Sequence, residues 1–244
     1  MSLRHHEIAE ADLRILNPYT DDKLMLLGQV SRVDHDTRIL DLACGKGEML
    51  CRWADRYGSH GHGVDISEVF LAAAHARAEE LRVRDRVTFD HADAATYQAE
   101  PGHYSMVSCI GATWIGNGLA GTIELMRRAV APGGLLLVGE PYWNHEPPEN
   151  APDIVPGDFT TLPGTLDRFN SAGVDLVEMV LTNPDSWDRY EASQWWTIER
   201  WLHTSPDDDE APAMRTFLDT HRRIYLTHRR HQLGWGVFVL RTPT

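Results

Sequence analysis

Asp41 and Asp65 are the residues of this sequence best placed to do chemistry with a ligand. Asp41 stands in Arg-Ile-Leu-Asp-Leu-Ala-Cys-Gly-Lys-Gly (38–47), where an apolar run meets a turn. Gly45 and Gly47 in that turn allow positive φ and lack the Cβ that would hold a ligand off the backbone. A strand, a tight glycine turn and the start of a helix together form a ligand cradle. A carboxylate beside it repels a diphosphate and suits a cationic or amine-bearing molecule. The turn also departs from G-x-G-x-x-G, because Leu50 stands where the third glycine would be. Asp65 falls 18 positions beyond Gly47, near the spacing at which a carboxylate at a second strand's tip meets a ribose diol.

Other groups offer chemistry with an equally good plain reading. Glu140 ends a buried apolar run, where a carboxylate is costly unless paired or used; it is a candidate to orient a substrate or take its proton, and equally to form an ion pair. His145, in the loop beyond, is a second candidate base. Cys44, Cys51 and Cys109 are too few and too oddly spaced for a disulfide framework or a four-ligand zinc site, so free thiols in a reducing compartment are expected. His60 with His62, and His228 with His231, each lack a third ligand at suitable spacing, so no metal site is expected. Trp187, Tyr190, Trp195, Trp196 and Trp201 crowd one helical stretch, either as a packing face or as a substrate wall.

Strands alternating with helices must hold these groups together. The apolar pattern predicts helices over 5–16, broken by Asn17-Pro18, and over 21–30, capped by Thr20 or Asp21. A strand over 39–43, a helix over 47–57, a strand over 61–66 and a helix capped by Ser67 follow, then strands over 86–90 and 104–110. A helix over 121–131 stops at Pro132-Gly133-Gly134 and leads to a fifth strand ending at Glu140. Residues 141–164 hold six prolines and read as a lid or substrate loop. A short helix over 166–172, a sixth strand over 174–181, helices over 186–202 and 211–231 and a seventh strand over 236–241 complete the chain.

Asp-Leu-Ala-Cys-Gly-Lys-Gly (41–47), Asp65, Asp93 and Pro-Gly-Gly-Leu-Leu-Leu-Val-Gly-Glu (132–140), all in register, resemble the class I S-adenosylmethionine-dependent methyltransferases. Looser similarity runs through Glu-Pro-Tyr-Trp (140–143), Trp-Asp-Arg-Tyr (187–190), Trp-Trp-Thr-Ile-Glu-Arg-Trp (195–201) and Leu-Gly-Trp-Gly-Val-Phe-Val-Leu (233–240), as in bacterial members of mostly unassigned substrate. The resemblance implies an α/β fold: a doubly wound, mostly parallel seven-stranded sheet with N-terminal helices closing over the cofactor and a helical insertion between the last two strands. It implies S-adenosyl-L-methionine as cofactor. Asp41 and the turn from Gly45 to Gly47 would hold its amino acid end, Asp65 its ribose, Asp93 its adenine, and the backbone at Ile110 and Gly111 its methionine portion, with Ala43, Cys44, Ile66 and Ala94 as further cofactor contacts. The reaction would be in-line displacement at the sulfonium methyl, aligned by the protein and assisted by a base where the acceptor carries a proton. Trp114, Tyr142, Trp143, Trp187, Tyr190 and Trp195 are the candidate acceptor contacts, with Glu140 or His145 as base. The [N/D]-P-P-[Y/F] motif of amino-methylating enzymes is replaced after the fourth strand by Gly111-Ala112-Thr113-Trp114, which leaves a protein or small-molecule acceptor open.

The 244 residues suffice for a single domain, divided as 1–36 (N-terminal helical cap), 37–182 (core), 183–233 (helical cap insertion) and 234–244 (final strand). With 36 acidic and 23 basic residues the net charge is -13, which disfavours a phosphate-tracking surface and hence nucleic acid. No apolar run reaches signal-peptide or membrane-spanning length, so a cytoplasmic protein acting on a small-molecule methyl acceptor is expected, with the oligomeric state open. Two competing readings remain: a nicotinamide-dependent oxidoreductase, disfavoured by Asp41 and the missing third glycine, and a non-catalytic adenosylmethionine-binding protein.

Overall fold

The computed structural model describes residues 2–242. Its strands are β1 (Arg38–Leu42), β2 (His60–Asp65), β3 (Val87–His91), β4 (Tyr104–Ile110), β5 (Val130–Trp143), β6 (Asp175–Leu181) and β7 (Leu233–Arg241). They form one sheet in the order β3-β2-β1-β4-β5-β7-β6. The first five run parallel, and β7 lies antiparallel between β5 and β6. The order reverses between β1 and β4, so the crevice outside their carboxyl ends is where an open α/β sheet binds ligands.

Helices cover both faces, which is why β1, β4 and β5 can be nearly all apolar. They are α1 (Leu3–Ala9), α2 (Asp21–Val30), α3 (Glu48–Tyr57), α4 (Glu68–Glu80), α5 (Leu119–Ala129), α6 (Ala151–Ile154), α7 (Leu162–Ser171), α8 (Pro184–Thr204) and α9 (Ala211–Ile224). Trp53 of α3 is fully buried and donates its Nε1 hydrogen to the Leu24 carbonyl at 3.1 Å, pinning α2 to α3. Ser67 caps α4 by accepting from the Phe70 amide, and Asn183 with Ser186 forms a capping box that starts α8.

Three elements differ from the sequence reading. The helix expected over 5–16 stops at Ala9, and the segment beyond it runs as an irregular strap. Its apolar Ile15 and Leu16 have helical spacing but face a cavity. The fifth strand continues through Pro141 to Trp143 instead of ending at Glu140. Proline is tolerated there because β4 has already ended at the Ile110–Gly139 pair, so the amide it lacks has no neighbouring strand to bond. Finally, the helix expected over 211–231 changes after Ile224 into a π turn, Tyr225–Arg229.

Candidate functional site

The carboxyl ends of β1, β2, β4 and β5 open into a cavity of about 690 Å³, roofed by the 10–19 strap and closed at the far side by α8 and α9. β1 delivers Asp41 to its floor. In register, Asp41 lies beside Gly63 of β2 and Ser108 of β4, whose hydroxyl donates to Asp41 Oδ1 at 2.7 Å. Among the described residues no cation pairs with Asp41, and burial pushes its pKa up to about 7. Asp65, at the tip of β2, accepts the Gly45 amide on Oδ2 (2.7 Å) and the Ser67 amide on Oδ1 (2.8 Å). It thereby ties the glycine turn to the start of α4. A carboxylate has about four lone-pair sites, so even with the Ile66 amide also nearby it can take a further donor. Asp93 accepts the Ala95 amide on Oδ1 at 2.9 Å, beside the exposed side chain of Ile66.

The strap is fastened from both sides. Lys46, between the two turn glycines, donates to the carbonyls of Glu10, Ala11 and Leu13 at 2.7, 2.8 and 2.7 Å. From α8, Tyr190 donates to Glu10 Oε1 at 2.6 Å, with the Leu16 carbonyl 3.3 Å away as an alternative acceptor for the same hydrogen, and Ser186 donates to the Pro18 carbonyl at 3.2 Å. Gly45 and Gly111, both at positive φ, leave room for it: a Cβ on Gly45 would stand 2.7 Å from Leu16 Cδ1, and one on Gly111 would collide with Asn17 Oδ1.

Of the residues singled out in the sequence, Asp41, Ala43, Cys44, Gly45, Asp65, Ile66, Asp93, Ala94, Ile110 and Gly111 line this cavity, as do Glu140, Trp114, Trp187 and Tyr190. Burial pushes the Cys44 thiol well up, so it lines the cavity as an uncharged thiol. The structure places five candidates elsewhere. Gly47 is a packing glycine, since a Cβ there would stand 2.6 Å from the Phe89 ring. His145 is exposed beyond the extended β5, which carries it past the site. Tyr142 and Trp143 are buried in the cores on opposite faces of that strand. Trp195 packs edge-on against Tyr225 at 5.8 Å.

Glu140 lines the cavity, yet its Oε1 accepts from Arg168 Nη1 at 2.9 Å, so the ion pair foreseen as its plain reading is present. Burial, partly offset by Arg168, raises its pKa to about 7. Residues the sequence reading missed are Glu10, Asn17, Tyr19, Lys46, Glu191, His221, Arg229 and Trp235. Glu191 alone had a local signal, four positions beyond Trp187 on the same helical face.

A switch-point crevice with carboxylates at its strand tips suits the enzymes that use a nucleoside–amino acid methyl donor, and this chain belongs to the S-adenosylmethionine-dependent methyltransferases. The methyltransferase-domain family matches residues 39–134. YjhP of Escherichia coli (strain K12) is 47% identical over 238 residues, 96% of each protein. The crystal structure of an S-adenosylmethionine-dependent methyltransferase from Geobacter sulfurreducens in complex with S-adenosyl-L-homocysteine is 46% identical and covers 99% of both chains with a TM-score of 0.93. A second, from Thiobacillus denitrificans and in complex with the same molecule, is 43% identical over 99% of both chains, also at 0.93. The cofactor is S-adenosyl-L-methionine, and the residues here fit it. An ammonium beside Asp41 would supply the missing cation, and the free lone pairs of Asp65 suit a diol.

Proposed function

We propose that this methyltransferase acts on a small-molecule acceptor, selected by a cap formed from 183–233. The observation that carries the reading is the strap across the cavity: bound to Lys46 on one side and to α8 on the other, it covers part of the crevice and favours an acceptor small enough to enter beneath it. The net charge of -13 and the carboxylates on the cavity wall likewise disfavour nucleic acid. Among the described residues no helix is long and apolar enough to cross a membrane, and the three cysteines are free, which suits a cytoplasmic setting.

In this reading Asp41 holds the ammonium of the methionine portion, Asp65 the ribose hydroxyls and Asp93 the adenine amino group. Ile66 and Ala94 supply apolar walls for the adenine face, and the Ile110–Gly111 backbone borders the sulfonium. The cofactor supplies an electrophilic methyl group on sulfur. The protein aligns the acceptor with it and excludes water under the strap. Isothermal titration with S-adenosyl-L-homocysteine tests the assignment: binding in the micromolar range to the wild type and loss of about tenfold or more in Asp65→Ala are expected. Undiminished affinity in that variant would refute it. Mass spectrometry of extract metabolites incubated with isotopically methyl-labelled cofactor then identifies the acceptor.

A further inference from the structure

The far end of the cavity holds a second set of polar groups that cofactor binding does not use. α8 presents Trp187, Tyr190, Glu191 and Gln194, spaced by three and four residues, on one cavity-facing side. Glu191 is 3% exposed. Its Oε1 accepts from Trp187 Nε1 at 3.0 Å, while its Oε2 has no hydrogen-bond partner. His221 of α9 places Nδ1 3.2 Å from that oxygen but out of line, so Nδ1 is unpartnered as well. On the other side of the imidazole, Arg229 Nη1 lies 2.9 Å from Nε2. A guanidinium only donates, so Nε2 is the acceptor and the single ring hydrogen sits on Nδ1, beside Glu191. Burial and the nearby Arg229 keep the ring neutral, its pKa lowered to about 4.

The arrangement is fixed by the fold. In a regular α-helix, residues eight apart point about 80° away from each other. The π turn at Tyr225–Arg229 removes much of that divergence, and both His221 and Arg229 reach the cavity. Arg229 is anchored further by Nε donating to the Ile154 carbonyl at 2.6 Å. Tyr19 and Trp235, stacked with centroids 5.7 Å apart, add flat walls alongside Trp187.

A buried acceptor and a buried donor therefore stand side by side without partners. A carboxylate or phosphate entering here meets the charge of Glu191. An ammonium has three donors and no acceptor, so it leaves the Nδ1 hydrogen facing a cation. A hydroxyl satisfies both. Resting on the methyltransferase reading of the same cavity, we propose that the acceptor is a planar small molecule bearing a hydroxyl, which donates to Glu191 Oε2 and accepts from His221 Nδ1, with Glu191 as the catalytic base. As the oxygen bonds to the methyl carbon, the carbon–sulfur bond breaks with its electron pair left on sulfur. The hydroxyl proton passes to the Glu191 carboxylate, and the product is a methyl ether. His221 donates to the oxygen while it gains negative charge. Glu140 is less suited, because its carboxyl is already engaged by the Arg168 guanidinium and the Thr113 side chain.

The test uses the full protein loaded with S-adenosyl-L-homocysteine and titrated with 2-naphthol, 2-naphthoate and 2-naphthylmethylammonium. Expected is 2-naphthol tightest by about tenfold. With S-adenosyl-L-methionine, 2-methoxynaphthalene should form. Glu191→Gln should retain KM for 2-naphthol within about threefold and lose about a hundredfold in kcat. It should also lose the rise of rate with pH through about 7 that Glu191 sets among its neighbours, the ionisable Glu10, Asp188 and Arg229 and the neutral His221. Preference for naphthoate or the ammonium, no binding of any of the three, or an unchanged kcat in Glu191→Gln would overturn the proposal. The preference is read on wild-type protein, so it decides the matter even where a variant fails to fold. Failure to bind S-adenosyl-L-homocysteine in the first place would instead overturn the reading of the cavity as a cofactor site.

Discussion

A buried carboxylate with no cation beside it keeps its proton to about pH 7, so at Asp41 a proton competes with the ligand's ammonium. Below that pH the ligand must displace the proton; above it the carboxylate is ready. The affinity for S-adenosyl-L-homocysteine should therefore rise from pH 6 to pH 8, by up to about tenfold per unit on the acid side. Asp41→Asn should bind more weakly and with a flat profile, as titration calorimetry across that range would report. Gly63, the register neighbour of Asp41 on β2, has a packing role instead: a Cβ there would stand 2.7 Å from Cys44 Sγ and 2.8 Å from Phe89 Cδ1. Gly63→Ala should cost about 1–3 kcal/mol in urea denaturation by forcing the glycine turn and Phe89 apart. Asp41, Asp65 and Asp93 were legible in the sequence because each lies within four residues of the glycine, serine or alanine that marks its turn. Glu10 and Glu191 were not, because what gives them meaning is distant: Glu10 is bonded by Tyr190, 180 positions away.

The strap at 10–19 is a connecting segment that works as a lid, and Lys46 is its latch. One ammonium that satisfies three carbonyls requires those carbonyls to converge, which a continuing α-helix forbids because its carbonyls are parallel and already used. This is why the helical spacing of Leu13, Ile15 and Leu16 misled: side-chain periodicity carries no information about a lysine more than thirty residues downstream. Lys46→Met keeps an unbranched apolar stem and removes the donors, together with the ammonium that lies 5.6 Å from the Phe70 ring centroid. It should raise the dissociation rate of S-adenosyl-L-homocysteine by about tenfold, measured by stopped-flow tryptophan fluorescence. Because the latch lies outside the sheet core, the same variant should lower Tm by only about 3 °C. The α8 face was half legible: Trp187, Tyr190 and Trp195 were named from the aromatic crowding of their segment, and of these Trp195 turns instead to Tyr225 at the start of the π turn.

Glu10, Asp41, Glu140 and Glu191 all titrate near 7 in the native protein, each raised chiefly by burial. A raised carboxylate favours folding below its unfolded pKa and loses that contribution as pH rises through the folded value. His221, held neutral with a lowered pKa, works in the opposite direction, but only below its ordinary value of 6.5. Between pH 6.5 and 7.5 the carboxylates therefore dominate. The Tm of the ligand-free enzyme should fall by about 5 °C over that unit in scanning calorimetry, and less with S-adenosyl-L-homocysteine bound, since the ligand's ammonium neutralises Asp41. The order of the sheet was legible only in outline: alternating strand and helix patterns imply parallel pairing, but no local pattern reveals that β7 slips between β5 and β6. That placement bears on biosynthesis. Both β5 and β6 precede β7 in the chain, so until β7 is made and wedges between them each presents a raw edge that a stray strand could join.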